Sequence, residues 1–142
     1  MVVADEYLQS IADSLLYLFD YMPPVSVWIL NIEQAGCDFK PLAEAHGQNA
    51  IVIDRCHYEN GNLEYIHATI LHELTHIWVN FKGRSTNLFG GHNIAWFRKA
   101  IELKLDFEEV FYWYPGSEEL YREIYDERNC YHEIELENGT FR

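Results

Sequence analysis

The chain has 142 residues, which is the size of a single domain. Hydrophobic residues make up 49% of it and aromatic residues 15%, which supplies one packed core and excludes a disordered or collagen-like chain. The net charge of −13 argues against a surface that is basic overall and binds duplex DNA non-specifically. We expect one domain over residues 1–142, with its core at about 25–104 and an acidic, helical C-terminal extension over 105–142.

The cysteines and the start of the chain bear on location. Cys37, Cys56 and Cys130 lie far apart without a C-x-x-C pair, so we expect free thiols. Residues 1–6 carry no positive charge, and acidic residues interrupt the apolar stretch that follows. The sequence therefore predicts neither a signal peptide nor a membrane span, and the expected location is cytoplasmic.

Hydrophobic periodicity predicts the first half of the fold. Residues 4–20 have the spacing of an amphipathic helix, which the prolines at 23 and 24 keep from continuing. Residues 25–30 alternate and are rich in β-branched side chains, which predicts a strand. Residues 31–49 are ambiguous between a second strand and a loop, and the apolar run at 50–54 predicts another strand.

The second half of the chain is predicted to be helical. A turn at Asn60-Gly61 precedes a long helix whose apolar stripe falls at 63, 66, 70, 74, 77 and 81. A loop rich in Gly, Ser and Asn leads to an amphipathic helix from Ile94 to about Leu105, and residues 117–128 indicate a last, charged helix. This order of elements favours an α+β fold, with a small sheet packed against the long helix and further helices flanking it.

Residues 72–76 of the long helix spell an H-E-x-x-H motif. On a helix, positions i and i+4 differ by only about 40° and lie about 6 Å apart along the axis, so His72 and His76 can bind one metal ion. Glu73 lies one residue further round, where it can reach a metal-bound water without being a ligand. The alternative is a chance string with ordinary histidines, but at this composition only roughly 0.04 such matches are expected.

A catalytic zinc ion takes three protein ligands and leaves a fourth position to water. The metzincin spacing would require glycine at 79 and histidine at 82, where the chain has Val79 and Lys82, so that class is excluded. His92 follows two glycines at the start of the next helix and is the candidate that we favour. The competitor is Glu102, which lies about 15 Å further along that helix, so both residues cannot serve one site. Taken alone, His92 would be interpreted as an exposed histidine at a helix N-terminus.

The motif at 72–76, followed by residues 91–97 (GHNIAWF), resembles the SprT-like (Spartan-like) metallopeptidase domain. The resemblance covers roughly residues 50–104. It implies a zincin-like fold in which Zn²⁺ is bound by His72, His76 and His92, with Glu73 as the general base. Asn93 stands where the family usually has glycine, and no C-x-x-C pair forms the zinc ribbon of many members, so their nucleic-acid role is not carried over.

The resemblance also implies a mechanism and a substrate. Zinc would lower the pKa of its water, and Glu73 would pass the proton to the leaving amine of a protein or peptide substrate. By family analogy, the strand at 50–54 would be the sheet edge along which an extended substrate pairs. An oxyanion-stabilising residue is left unassigned among Tyr65, Tyr112 and Tyr114.

Two further features have both a functional and a structural interpretation. Basic residues interleaved with aromatic ones could contact single-stranded DNA weakly, although charge at helix ends is the interpretation that we favour; they are Lys82, Arg84, Arg98 and Lys99, with Trp78, Phe81, Phe89 and Trp96. The remaining histidines have no metal spacing and are expected to be structural; they are His46, His57, His67 and His132.

The acidic charge supports an alternative function. Residues 101–142 carry 12 acidic and 4 basic side chains. A non-catalytic binding module that keeps the zincin fold could use this charge to mimic a nucleic acid or to bind another protein. No membrane partner is expected.

Overall fold

The computed structural model describes residues 2–30, 43–46, 49–60, 63–105 and 115–126. Within these ranges the protein is a mixed α+β structure with one four-stranded sheet and several helices, so the predicted fold class is confirmed at that level. The strands are β1 (Val2–Ala4), β2 (Ser26–Leu30), β3 (Ala43–His46) and β4 (Ala50–Asp54). The helices are α1 (Glu6–Leu15), α2 (Arg55–Asn60), α3 (Leu63–Phe81), α4 (Ile94–Glu102) and α5 (117–126).

The sheet has the strand order β1-β2-β4-β3. β2 and β4 run parallel, with Val27 opposite Ile51, and the outer strands β1 and β3 pair antiparallel with their neighbours. The prediction that residues 50–54 form the sheet edge is therefore wrong. β3 covers that side of β4, and β3 comes from the segment that the sequence left ambiguous because its small and polar residues show no apolar alternation.

The first helix packs into the main core. Asp5 caps α1, because its Oδ1 accepts a hydrogen bond of 2.9 Å from the Leu8 backbone N–H. Leu8 is fully buried and Ile11 is 5% exposed, in one cluster with the sheet. The helix starts later than predicted because residues 2–4 form β1, and it ends in a 3₁₀ turn at Leu16–Leu18.

Helix α3 crosses the sheet and lies against β3 and β4. Its inner face carries four apolar residues that are at most 5% exposed, namely Ile66, Ile70, Leu74 and Ile77. They pack with Ile51 and Ile53 of β4 in the main core. This confirms the central part of the predicted stripe, although Phe81 at its end is 44% exposed.

A glycine ends α3 and an asparagine begins α4. Gly83 has φ +70, and two backbone hydrogen bonds from Gly83 and Arg84 to the last turn of α3 complete a Schellman motif. Trp96 and Phe97 of α4 are fully buried in a second core cluster with Ile124 of α5.

Among the described helices, none is both long and apolar enough to cross a membrane.

Candidate metal centre

Three imidazole rings converge on the outer side of α3. His72 and His76 lie one turn apart on the helix, and His92 lies between a 3₁₀ turn at Leu88–Gly91 and the start of α4. The Nε2 atom of His92 is 3.0 Å from Nε2 of His76 and 3.1 Å from Nε2 of His72. One nitrogen from each residue lies within 4.8 Å of the others, so the three histidines could hold a metal ion.

The donor set fits a metal. Two nitrogens bound to one tetrahedral zinc ion stand about 3.3 Å apart, close to the two separations in this cluster. A proton on Nε2 of His92 could be donated to only one of the two nitrogens that face it. A single cation, in contrast, can accept the lone pairs of all three rings, and imidazole nitrogen suits zinc and several other transition metals.

The surroundings of His72 and His76 favour their neutral forms. Burial, together with the nearby His76 and His92 rings, lowers the pKa of His72 well below its ordinary value. Burial also lowers the pKa of His76 to about 3, with the neighbouring His92 adding to the effect. Metal ligation requires neutral imidazole, so at neutral pH these rings are already in the form that binds.

Glu73 lies at the junction between α3 and the edge strand. Its side chain is 7% exposed, and its carboxylate accepts a hydrogen bond from the backbone N–H of Ala45 on β3. Burial raises the pKa of Glu73 to about 8; the Ala45 N–H opposes this increase, and the nearby carboxylate of Glu44 adds to it. Glu73 directly follows His72 in the sequence, but its contact with β3 is visible only in three dimensions.

Gly91 allows the loop to approach His76. Its φ is +91, and a Cβ atom added there would lie 3.3 Å from both Cε1 and Nδ1 of His76. A larger residue would thus combine an unfavourable backbone conformation with contact against a ligand ring. The two consecutive glycines in the sequence indicated a tight turn, but the contact with His76 is visible only in three dimensions.

Asn93 ties the loop to α4. Its Oδ1 accepts a hydrogen bond of 3.0 Å from the Trp96 backbone N–H and so caps the helix, while its Nδ2 donates to the Arg84 carbonyl at 2.8 Å and to Thr86 Oγ1 at 3.2 Å. Asn93 itself has φ −89, so this position does not require glycine. The asparagine therefore fixes the residue that immediately follows His92.

The competing ligand lies elsewhere. Glu102 is the last residue of α4, its side chain is 55% exposed, and its Oε2 lies 3.1 Å from Nζ of Lys99. It does not belong to the group that could hold a metal, whereas His92 does.

One of the remaining histidines has a clear structural contact. His57 of α2 is 5% exposed, and its Nε2 lies 2.9 Å from Thr69 Oγ1 of α3. This contact joins α2 to the helix that carries the motif. Among the candidates for an oxyanion-stabilising residue, Tyr112 and Tyr114 lie outside the described residues, as does the Tyr65 side chain.

The four basic residues do not share one surface role. Lys82 forms a salt bridge of 2.9 Å with Asp20, and Lys99 is only 7% exposed, with its Nζ 4.8 Å from the ring centroid of Trp78. Arg84 and Arg98 are exposed. Trp96 is fully buried, so it cannot stack on a base. Single-stranded DNA binding by this segment stays a prediction.

No protein-family model, curated protein or solved structure matches the chain. The functional assignment therefore depends on the residues of the site and their geometry.

Proposed function

We propose that the protein is a zinc-dependent metallopeptidase with a SprT-like, zincin-like domain. The observation that carries this proposal is the convergence of the His72, His76 and His92 Nε2 atoms. It is joined by a buried Glu73, which directly follows His72 in the sequence. Three histidine ligands with an open fourth position are typical of catalytic zinc sites, and an adjacent carboxylate is the usual general base of an H-E-x-x-H enzyme.

The residues of the chain divide the chemistry among them. Zinc, when bound, supplies a Lewis acid that polarises the scissile carbonyl and lowers the pKa of water toward neutrality. In the metal-free chain a pKa of about 8 keeps the Glu73 carboxyl mostly protonated at neutral pH. A bound cation would lower that pKa, and ionised Glu73 would then accept the proton of the attacking water and deliver it to the leaving amine. The three histidines hold the ion and, being neutral, leave its positive charge undiminished.

Edge strand β3 is the proposed site for the substrate backbone. β3 lies at the edge of the described sheet, next to α3, and the backbone N–H of Ala45 already reaches Glu73. An extended peptide that pairs with this edge would bring its scissile bond beside the carboxylate and the histidines. This role moves from residues 50–54, where family analogy had placed it, to β3.

Zinc content and peptide hydrolysis test the proposal together. Purified protein should contain about one zinc per chain and cleave an unfolded protein or a mixed peptide library. Glu73→Gln should retain zinc but lose hydrolysis by about 100-fold or more, because it removes the proton acceptor. Glu59→Gln, which makes the same change at an exposed residue of α2, is the matched control and should leave both unchanged.

Three results would contradict the proposal. If the purified protein does not bind zinc supplied in micromolar excess, it has no zinc centre. A Glu73→Gln variant that hydrolyses peptide at the wild-type rate has no general base at this position. A chain that binds zinc, cleaves nothing and keeps its biological activity in Glu73→Gln would instead favour the acidic binding module.

A further inference from the structure

One aromatic residue contacts every ring of the metal centre. The ring centroid of Trp96 is 4.8 Å from that of His72, 5.3 Å from that of His76 and 4.6 Å from that of His92. The indole meets the His92 ring edge to face, with an interplanar angle of 89°. Trp96 is fully buried, so the contact is shielded from water.

The indole lies on one side of the cluster, near its centre. The imidazole centroids form a triangle with sides of 5.1, 5.1 and 4.6 Å. The six centroid distances together place the indole about 4 Å from the plane of that triangle and close to its middle. Trp96 therefore covers this side of the cluster.

The Trp96 indole packs against other buried side chains. Its centroid lies 5.4 Å from that of Phe97 in an edge-to-face contact, and both rings belong to a cluster with Val79 and Ile124. Closely packed interiors allow little displacement of a side chain of this size. The indole is consequently a fixed surface against which the three imidazoles pack.

We infer that Trp96 is the positioning residue of the metal centre, holding the three imidazoles converged and setting which side of the ion is open. This inference rests on the proposed function, since it requires that the three histidines bind the metal. Rings that are held in the ligating arrangement before the ion arrives lose less conformational freedom on binding. Residues that orient metal ligands typically contribute about 10–100-fold in metal affinity.

The test compares Trp96→Leu and Trp96→Phe with Phe19→Leu in the full chain. Phe19 is also a buried aromatic residue, at 6% exposure, but it lies in the main core, where its ring centroid is 6.4 Å from that of Trp78. Zinc affinity is measured by competition with a chelating dye, Co²⁺ coordination by the visible absorption spectrum, and unfolding by urea on the metal-free chains.

All three substitutions should lower the free energy of unfolding, but only the Trp96 variants should change metal binding. We expect about tenfold weaker zinc affinity for Trp96→Leu, a smaller loss for Trp96→Phe, and an altered Co²⁺ spectrum for Trp96→Leu. Phe19→Leu should keep the wild-type affinity and spectrum. If Trp96→Leu does not fold, Trp96→Phe decides, because its zinc affinity must still fall below that of Phe19→Leu.

The inference is overturned if folded Trp96 variants bind zinc like the wild type, or if Phe19→Leu loses as much affinity as they do. These readouts are independent of hydrolysis. A wild-type chain that binds zinc but cleaves no peptide would contradict the peptidase proposal and leave the role of Trp96 standing. A wild-type chain that binds no zinc would overturn both.

Discussion

The two parts of the candidate metal centre are built in different ways. His72 and His76 lie on one regular helix, and its opposite face is buried in the main core. Their separation follows from the geometry of the α-helix alone. His92 comes from a loop whose shape depends on Gly91, on the hydrogen bonds of Asn93 and on the buried Trp96.

This difference determines which residues control each histidine. On the helix side, the backbone positions of His72 and His76 stay fixed relative to each other as long as α3 is intact, although Gly91 and Trp96 contact their rings. On the loop side, residues that never touch the metal can move His92. We therefore expect the metal affinity of the protein to be sensitive to residues of the loop and of the start of α4.

Removal of the loop ligand should have the largest effect. His92→Ala should lower zinc affinity by at least about tenfold, because the site loses one of its three protein ligands. Glu102→Ala should leave zinc affinity within about twofold, since that carboxylate pairs with Lys99 at the other end of α4. Competition with a chelating dye measures both. If Glu102→Ala loses zinc while His92→Ala keeps it, His92 is not the third ligand and the site is ligated by a glutamate instead.

The helix side of the site could be predicted from the sequence because a period of 3.6 residues fixes both the buried stripe of α3 and the spacing of its histidines. His92 could be selected from its glycines and its place before the next helix. The role of Trp96 could not, because the sequence shows an aromatic residue in an amphipathic helix but not which rings it meets.

The two edge strands of the described sheet could not be assigned from the sequence either. β1 has only three residues, and β3 consists of Ala, Glu, Ala and His, which carry little intrinsic preference for a strand. Both become strands through pairing, β1 with β2 and β3 with β4. β3 is also the strand that contacts Glu73, so a contact at the candidate site depends on tertiary structure.

Substitutions at two glycines should have an intermediate effect on zinc affinity. Gly91 and Gly83 both have positive φ, +91 and +70, but a Cβ at Gly83 would meet nothing within 4 Å. Alanine at either position should reduce the free energy of unfolding by about 1–2 kcal/mol through the backbone conformation. Only Gly91→Ala should also weaken zinc binding, since its Cβ presses on the His76 ring. Equal zinc affinities in the two variants would show that the loop tolerates the contact.

The smallest effect is expected from substitutions at two helix caps, one distant from the histidines and one next to His92. Asp5 caps α1 in the main core and Asn93 caps α4 beside His92, through hydrogen bonds of 2.9 and 3.0 Å. Asp5→Ala and Asn93→Ala should each cost about 1 kcal/mol in urea unfolding, because each leaves a helix N-terminus without its acceptor. Only Asn93→Ala should also weaken zinc binding, by a few-fold, as the chain next to His92 loosens.

Asn93→Asp separates the cap from the loop contact. An aspartate keeps an oxygen that can accept from the Trp96 N–H, so the cap survives. It has no donor for the Arg84 carbonyl, which Asn93 Nδ2 contacts at 2.8 Å, and it places a carboxylate oxygen against that carbonyl instead. We therefore expect Asn93→Asp to be more stable than Asn93→Ala but to bind zinc no better. If Asn93→Asp recovers wild-type zinc affinity, the cap alone orders His92, and the hydrogen bonds to Arg84 and Thr86 contribute nothing to the metal centre.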